Sequence, residues 1–193
     1  PYDTWAKAAT APLTATALAA AGDTIYQHAE TFTISVDTTY SLAAGVRWIC
    51  TNDSANEPPQ TLSTAGVIDG SGTSGVDITI AGGPTYIYGL SFLAGNGGSA
   101  TSIIVANTDL DRLVFDNCLF RFVNANSSSV FSFGTSNSGS RAEITFINSK
   151  VRINNAGQGL SVFCLFLVEG GNLLDASSTV PTTLVKSVNS KAC

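Results

Sequence analysis

The sequence predicts an all-β chain, a right-handed parallel β-helix (solenoid) opened by a short N-terminal capping helix. Three observations carry this. After residue 22 no helical period persists, and short β-type runs alternate with Gly, Ser and Asn clusters. Those runs recur at an interval near 30 residues, the spacing that stacked supersecondary units write into a sequence. At one fixed place in the repeat stands Gly89, Asn117 or Asn148, residue types that tolerate a left-handed backbone.

The elements follow in order. Residues 1–22 form an N-terminal segment unlike the rest, and residues 23–193 form the β-helix as a single domain. In "APLTATALAAAG", Pro12 suits a first helical turn behind Thr10 as cap, and Gly22 is the stop. The predicted helix covers about 12–20, with Leu13, Ala17 and Leu18 on one face and Trp5 packing nearby. Strands are expected in "GVRWIC" (45–50), "VDITI" (76–80), "TYIYGLSF" (85–92), "SIIVAN" (102–107), "VFSF" (130–133) and "VFCLFLV" (162–168). The loops "LAGNGGSAT" and "GTSNSGSR" lie outside.

The repeat is explicit when "TYIYGLSF" is set beside "DRLVFDNCLFRF" and "AEITFINSKVRI". Ile87, Phe115 and Phe146 correspond. Next come Gly89, Asn117 and Asn148, then Leu90, Cys118 and Ser149, then Phe92, Phe120 and Val151, at offsets of 28 and 31 residues. A second column, Ile103, Phe131 and Phe163, repeats at 28 and 32. From Phe115 to Cys118 is three steps, so strict alternation would turn one of them outward. A bend with one left-handed residue keeps both inside, and stacked Asn side chains there could bond from coil to coil. Coils of this kind stack about 4.8 Å apart, about five or six of them, with the helix covering the exposed backbone at the N-terminal end.

Composition narrows the function. The chain has 193 residues, 44% of them apolar and only 12% charged, with a formal net charge of −5. That balance speaks against a nucleic-acid binder. The longest apolar run, "SVFCLFLV", is too short to span a bilayer, and no signal peptide is recognisable. The chain begins at Pro1 rather than Met, as a processed or partial product would. Residues 1–110 hold nine acids and two bases, residues 111–193 five acids and seven bases, so the two ends of an elongated molecule would differ in sign. Cys50, Cys118, Cys164 and Cys193 show no metal-type spacing. Cys118 and Cys164 sit in apolar runs and are expected as buried free thiols.

The run from "LTATALAAAGDTIY" resembles the N-terminal end of pectate-lyase-like β-helix proteins. More narrowly, "GDTIY", "HAET", "VRWICTND", "YIYGLSF" and "AGNG" resemble β-helix proteins encoded among the structural genes of tailed bacteriophages. The resemblance covers most of residues 5–150. It implies a virion component, assembled in the host cytoplasm, whose partners are capsid or tail subunits. It also admits a homo-oligomer or a surface glycan as partner, because proteins of this fold serve as lyases, adhesins, tailspikes and capsid decorations.

Catalytic chemistry is thinly represented. "NTD" (107–109) resembles the first acidic motif of polygalacturonases and "RIN" (152–154) is one letter from their basic motif. Hydrolysis needs an acid and a base across the glycosidic bond, and the Asp-Asp pair and Gly-His-Gly of that family are absent, the one histidine being His28. Asp109 and Asp111 read as turn residues. A calcium-dependent lyase would draw on Asp109, Asp111 and Asp116 with Arg112, but the counterparts of Asp116, Tyr88 and Ile147, are not acidic. No nucleophile elbow or phosphate loop appears. The expectation is therefore a non-enzymatic protein without cofactor or metal. Arg121 and Arg152 in one column, with Lys150 two residues before Arg152, form a candidate basic docking patch. A tailspike-like glycan binder or depolymerase is the alternative, with Tyr88 facing outward and Tyr86 on the same parity offered to sugars.

Overall fold

The computed structural model describes residues 9, 11–52, 56, 58–73, 76–94, 101–106, 112–124, 129–134 and 143–187. Its one helix among these, α1 (Pro12–Leu18), starts with Pro12 in its first turn, where a missing N–H costs nothing. The N-cap is Ala11, with no side-chain cap bond; Thr10 and Trp5 lie outside the described residues.

The face that α1 buries is not the predicted one. Pro12 and Thr16 are buried, Ala15 and Ala19 pack against the core, and Leu13 and Leu18 are exposed. Positions 12, 15, 16 and 19 are an i, i+3, i+4, i+7 stripe of small residues. Such a stripe lets the helix axis come close to the strands beneath, and the Thr16 hydroxyl is satisfied internally by donating to the Leu13 carbonyl at 3.1 Å.

The strands follow as β1 (Thr24–His28), β2 (Thr31–Thr33), β3 (Thr38–Leu42), β4 (Arg47–Thr51), β5 (Gly66–Asp69) and β6 (Ile78–Gly82). Then come β7 (Thr85–Tyr88), β8 (Leu90–Leu93), β9 (Thr101–Ala106), β10 (Arg112–Asp116), β11 (Leu119–Arg121) and β12 (Val130–Phe133). The last are β13 (Glu143–Ile147), β14 (Lys150–Arg152), β15 (Gly159–Val162), β16 (Leu165–Glu169) and β17 (Val185–Ser187). One sheet has the order β1-β4-β7-β10-β13-β16, a second β2-β5-β8-β11-β14, a third β3-β6-β9-β12-β15-β17. Neighbours within all three are parallel. The chain thus visits the three sheets in rotation, and α1 packs against β3 and β1, the first strands of two of them.

The predicted columns are in register where β7, β10 and β13 meet. Phe115 pairs with both Ile87 and Phe146, and Phe120 with both Phe92 and Val151. In the third sheet Phe131 pairs with Ile103, but its other partner is Leu160 rather than Phe163. The run "VFCLFLV" is not one strand. It holds the end of β15, a corner at Phe163 and Cys164, and most of β16. Gly134, at a φ of 84°, packs its backbone against Cys164 at this corner.

Inward side chains of the three sheets build one core. Phe92, Phe120 and Phe146 stack in sequence, with centroids 5.2 and 5.1 Å apart, and Phe115 meets Phe92, Phe120 and Phe146 edge-on. Each such ring, fully buried, contributes about 2–3 kcal/mol of transfer free energy, and T-shaped pairs add a little more. Near α1 the core turns partly polar: the buried Trp48 indole N–H donates to Gln27 Oε1 at 3.0 Å. Cys50, Cys118 and Cys164 are buried free thiols.

Candidate docking face and bend column

The bend column has the backbone that its residue types foretell. Gly89 has a φ of 74°, Asn117 of 51° and Asn148 of 48°. The bond between neighbouring strands at the bend is made by the main chain. The Gly89 N–H donates to the Asp116 carbonyl, Asn117 to Ile147 and Asn148 to Glu169, at 2.8–3.0 Å. The Asn117 amide turns instead to the carboxylate before it, donating to Asp116 Oδ1 at 2.7 Å. After each bend the next residue is again inside: Leu90, Cys118 and Ser149 are all buried. The Ser149 hydroxyl satisfies that interior position by accepting the Cys118 N–H and donating to the Phe115 carbonyl, both at 2.9 Å.

A fourth member of the column is Gly170, with a φ of 71°. Val168 pairs with Phe146 and Glu169 with Ile147, which puts Gly170 beside Asn148. The spacing from Asn148 is 22 residues, well short of the repeat, because β15 and β16 are joined by Phe163 and Cys164 alone, whereas residues 134–142 separate β12 from β13. The pattern of an apolar residue, one outward residue, then Asn or Gly in "FDN", "FIN" and "VEG" marks it all the same.

The candidate basic patch lies on the outer face of the β14-β11-β8-β5-β2 sheet. Arg121 and Arg152 are register partners on β11 and β14, and Lys150 pairs with Leu119. Lys150 is exposed, and the two arginines are half-buried. Arg152 is held by Asp175, which accepts from its Nε and lies 3.0 Å from Nη2. Burial pushes the Asp175 carboxyl up, but the Ser177 N–H and the Arg152 charge outweigh that and hold it below the usual carboxylate range. Arg121 Nε is buried with no partner among the described residues. Among the described residues no ion pair engages Arg121 or Lys150. Asp175, 23 residues after Arg152, belongs to no repeat column.

The other polar face is on the β1-to-β16 sheet. Tyr86 and Tyr88 both point outward and are half-buried, as is Tyr26 on β1. Arg47 lies over the Tyr86 ring, 5.6 Å from its centroid, and the Tyr86 hydroxyl donates to Asp116 Oδ2 at 2.5 Å. Burial first, then the Asp116 bond, push the Tyr86 hydroxyl up, so it stays protonated. Arg112 bridges to Glu143 at 2.8 Å, and the Thr145 hydroxyl also donates to Glu143. Asp116 and Arg112 are thus engaged with structural partners, and Asp109 and Asp111 lie outside the described residues. Among the described residues no group of three or more His, Cys, Asp or Glu could hold a metal ion, and no helix is long and apolar enough to cross a membrane. Set against family models, curated proteins and solved structures, the chain finds no match in any of the three.

Proposed function

We propose that the three parallel sheets are the faces of one right-handed parallel β-helix and that the protein is a non-enzymatic structural component of a tailed-phage virion. Its role would be capsid decoration or cement, or a tail-associated scaffold, with capsid or tail subunits as partners. One observation carries the mechanical part: parallel pairing continues through five or six strands on each sheet over a single aromatic core. A rod built this way resists bending and proteolysis, since eleven of its seventeen strands lie between two others in their sheets. The outward ion pairs support the non-enzymatic part, because Arg152–Asp175 and Arg112–Glu143 spend their charges on holding neighbouring segments together. The virion assignment itself rests on the sequence resemblance.

Quantitative peptide mass spectrometry on purified virions tests it, with the major capsid protein as standard. A ratio near one copy per capsid subunit or capsomer supports decoration. A handful of copies per particle supports the tail. Absence from particles overturns the proposal. A second reading, a tailspike-like glycan binder, is favoured by Tyr26, Tyr86 and Tyr88 on one outer face beside Asp116, since aromatic rings stack on sugar faces and carboxylates bond their hydroxyls. Retention of host surface polysaccharide by the protein, lost in Tyr88→Ala, would establish it.

A further inference from the structure

The outer face of the β2-β5-β8-β11-β14 sheet carries one pattern read from either end, with the charges reversed. Ile68, Phe92, Phe120 and Val151 point inward and are fully buried, so their neighbours stand outside in two rows that cross the five strands in register. One row is Thr31, Val67, Ser91, Leu119 and Lys150. The other is Thr33, Asp69, Leu93, Arg121 and Arg152. Both rows have a small or apolar centre on β8 and basic groups toward β14. The acids lie toward β2: Asp69 on β5, and Glu30, exposed at the turn before Thr31. Among the described residues no ion pair engages Glu30, Asp69, Arg121 or Lys150.

We infer that this face is the contact of a weak twofold homodimer, in which two copies meet face to face with their strand orders opposed. Rotation about an axis along the strands and over β8 lays β5 of one copy on β11 of the other, β8 on β8 and β2 on β14. Like rows then face each other. Asp69 meets Arg121 of the second copy, and Val67 meets Leu119. Leu93 meets Leu93 at the axis, and Ser91 meets Ser91. Lys150 comes over Thr31 with Glu30 beside it. Each charged contact occurs twice, as a closed isologous contact requires.

The charges also select this arrangement over the alternative. A twofold axis across the strands would set one row against the other. Asp69 would then be buried on Val67, and Lys150 would face Arg152, an unpaired acid and two like charges at once. The pairs that decide lie on β5, β8 and β11, each flanked by strands on both sides, so the choice does not depend on how the ends of the sheet are finished. Size sets the strength. Five strands about 4.8 Å apart, with two outward positions each, offer a face of roughly 20 by 10 Å. That is well below the about 800 Å² per partner of a stable complex, so the dissociation constant should be on the order of 0.1 mM. This inference rests on strand register and not on the virion reading.

Sedimentation equilibrium of the full chain, from about 10 μM to about 1 mM at low salt, should show reversible association to twice the monomer mass, weakened by added salt. Arg121→Glu and Asp69→Lys each set like charges opposite one another, and each alone should stay monomeric across this range. Mixed in equal amounts they should associate again, because the introduced carboxylate meets the introduced amine while the native Asp69–Arg121 pair survives at the second contact. Asp69 also accepts from the Ser71 N–H and hydroxyl, so a second mixture, Lys150→Glu with Glu30→Lys, repeats the test at exposed positions. A wild-type chain that is monomeric at about 1 mM overturns the inference. So does association that persists undiminished in Arg121→Glu, or failure of both mixtures to restore it.

Discussion

Substitutions along the bend column separate backbone conformation from side-chain chemistry. Asn117 and Asn148 hold φ values of 51° and 48°, where an L-residue without a locally bonding side chain is disfavoured by about 1–2 kcal/mol. Asn117→Ala should cost about 1.5–2 kcal/mol, the left-handed penalty together with part of the exposed bond to Asp116. Asn148→Ala should cost about 1 kcal/mol, chiefly the backbone part. Asn117→Val adds β-branching and should exceed about 2 kcal/mol. Glycine relieves the strain while losing the side-chain bond, so Asn117→Gly and Asn148→Gly should stay within about 0.5 kcal/mol of wild type.

The glycines of the same column should rank by what a methyl group would meet. At Gly89 a Cβ collides with the Ser63 carbonyl oxygen and comes within 3.3 Å of Cys50 Cβ, on top of a φ of 74°. Backbone cannot yield cheaply, and Gly89→Ala should cost more than about 3 kcal/mol. At Gly170 the Cβ meets the Asn148 side-chain oxygen, which can swing away, leaving about 1–2 kcal/mol of left-handed strain. Urea denaturation of the seven variants reads these values, and each kcal/mol should move the thermal midpoint by roughly 2–4 °C. If Asn117→Gly loses as much as Asn117→Val, or Gly170→Ala more than Gly89→Ala, the left-handed bend is not what selects these residues.

Alkaline pH should unfold the core from within. Burial pushes the Tyr40 hydroxyl up to about 12 from 10.0 and the Cys118 thiol up to about 12 from 9.0. Both folded values are raised, so their stabilisation is complete below the unfolded values and is lost as pH climbs through 9 and 10 toward 12. The loss by pH 12 should be on the order of 2–4 kcal/mol for each group. Denaturant midpoints should fall steeply over that window, and Cys118→Val should delay the onset toward pH 10; flat midpoints up to pH 12 would contradict the burial argument. Asp77 runs in the same direction at lower pH. Burial, then the neighbouring Asp37, raise its carboxyl, and its Oδ1 is buried with no partner among the described residues. Its ionisation therefore destabilises the fold as pH rises through the raised value. Asp77→Asn should increase stability at pH 7 by about 0.5–1 kcal/mol and flatten that slope, whereas a loss of stability would show that the carboxylate holds a partner.

The bend was legible because it is local: residues near the left-handed region must be Gly or Asn whatever surrounds them, and the flanking columns follow by counting. Phe115 and Phe146 were aligned correctly for that reason. The third-sheet column slipped at its last member because nothing local marks a corner as Gly or Asn mark a bend. Phe163 and Cys164 are as apolar as the strands they separate, and Gly134, the residue that makes room for Cys164, sits 30 positions earlier in the chain. The α1 face failed for a related reason. Hydrophobicity favoured Leu13 and Leu18, but a short helix lying on strands is set by how near its axis can come, and Pro12, Ala15, Thr16 and Ala19 allow the closer approach.

The outer faces were legible only as far as strand register reaches. Register placed Arg121 beside Arg152 and set Tyr86 and Tyr88 outward. The repeat columns run only from β7 to β14, so they omit Arg47, which pairs with Tyr86 in register, and Asp175, which the bridge Val151–Leu174 sets beside Arg152. The consequence is functional. A charge counted from the sequence as free for docking can be consumed by the fold, as Arg152 is. A hydrophobic residue counted on the packing face of a helix can be left on the surface, as Leu13 and Leu18 are.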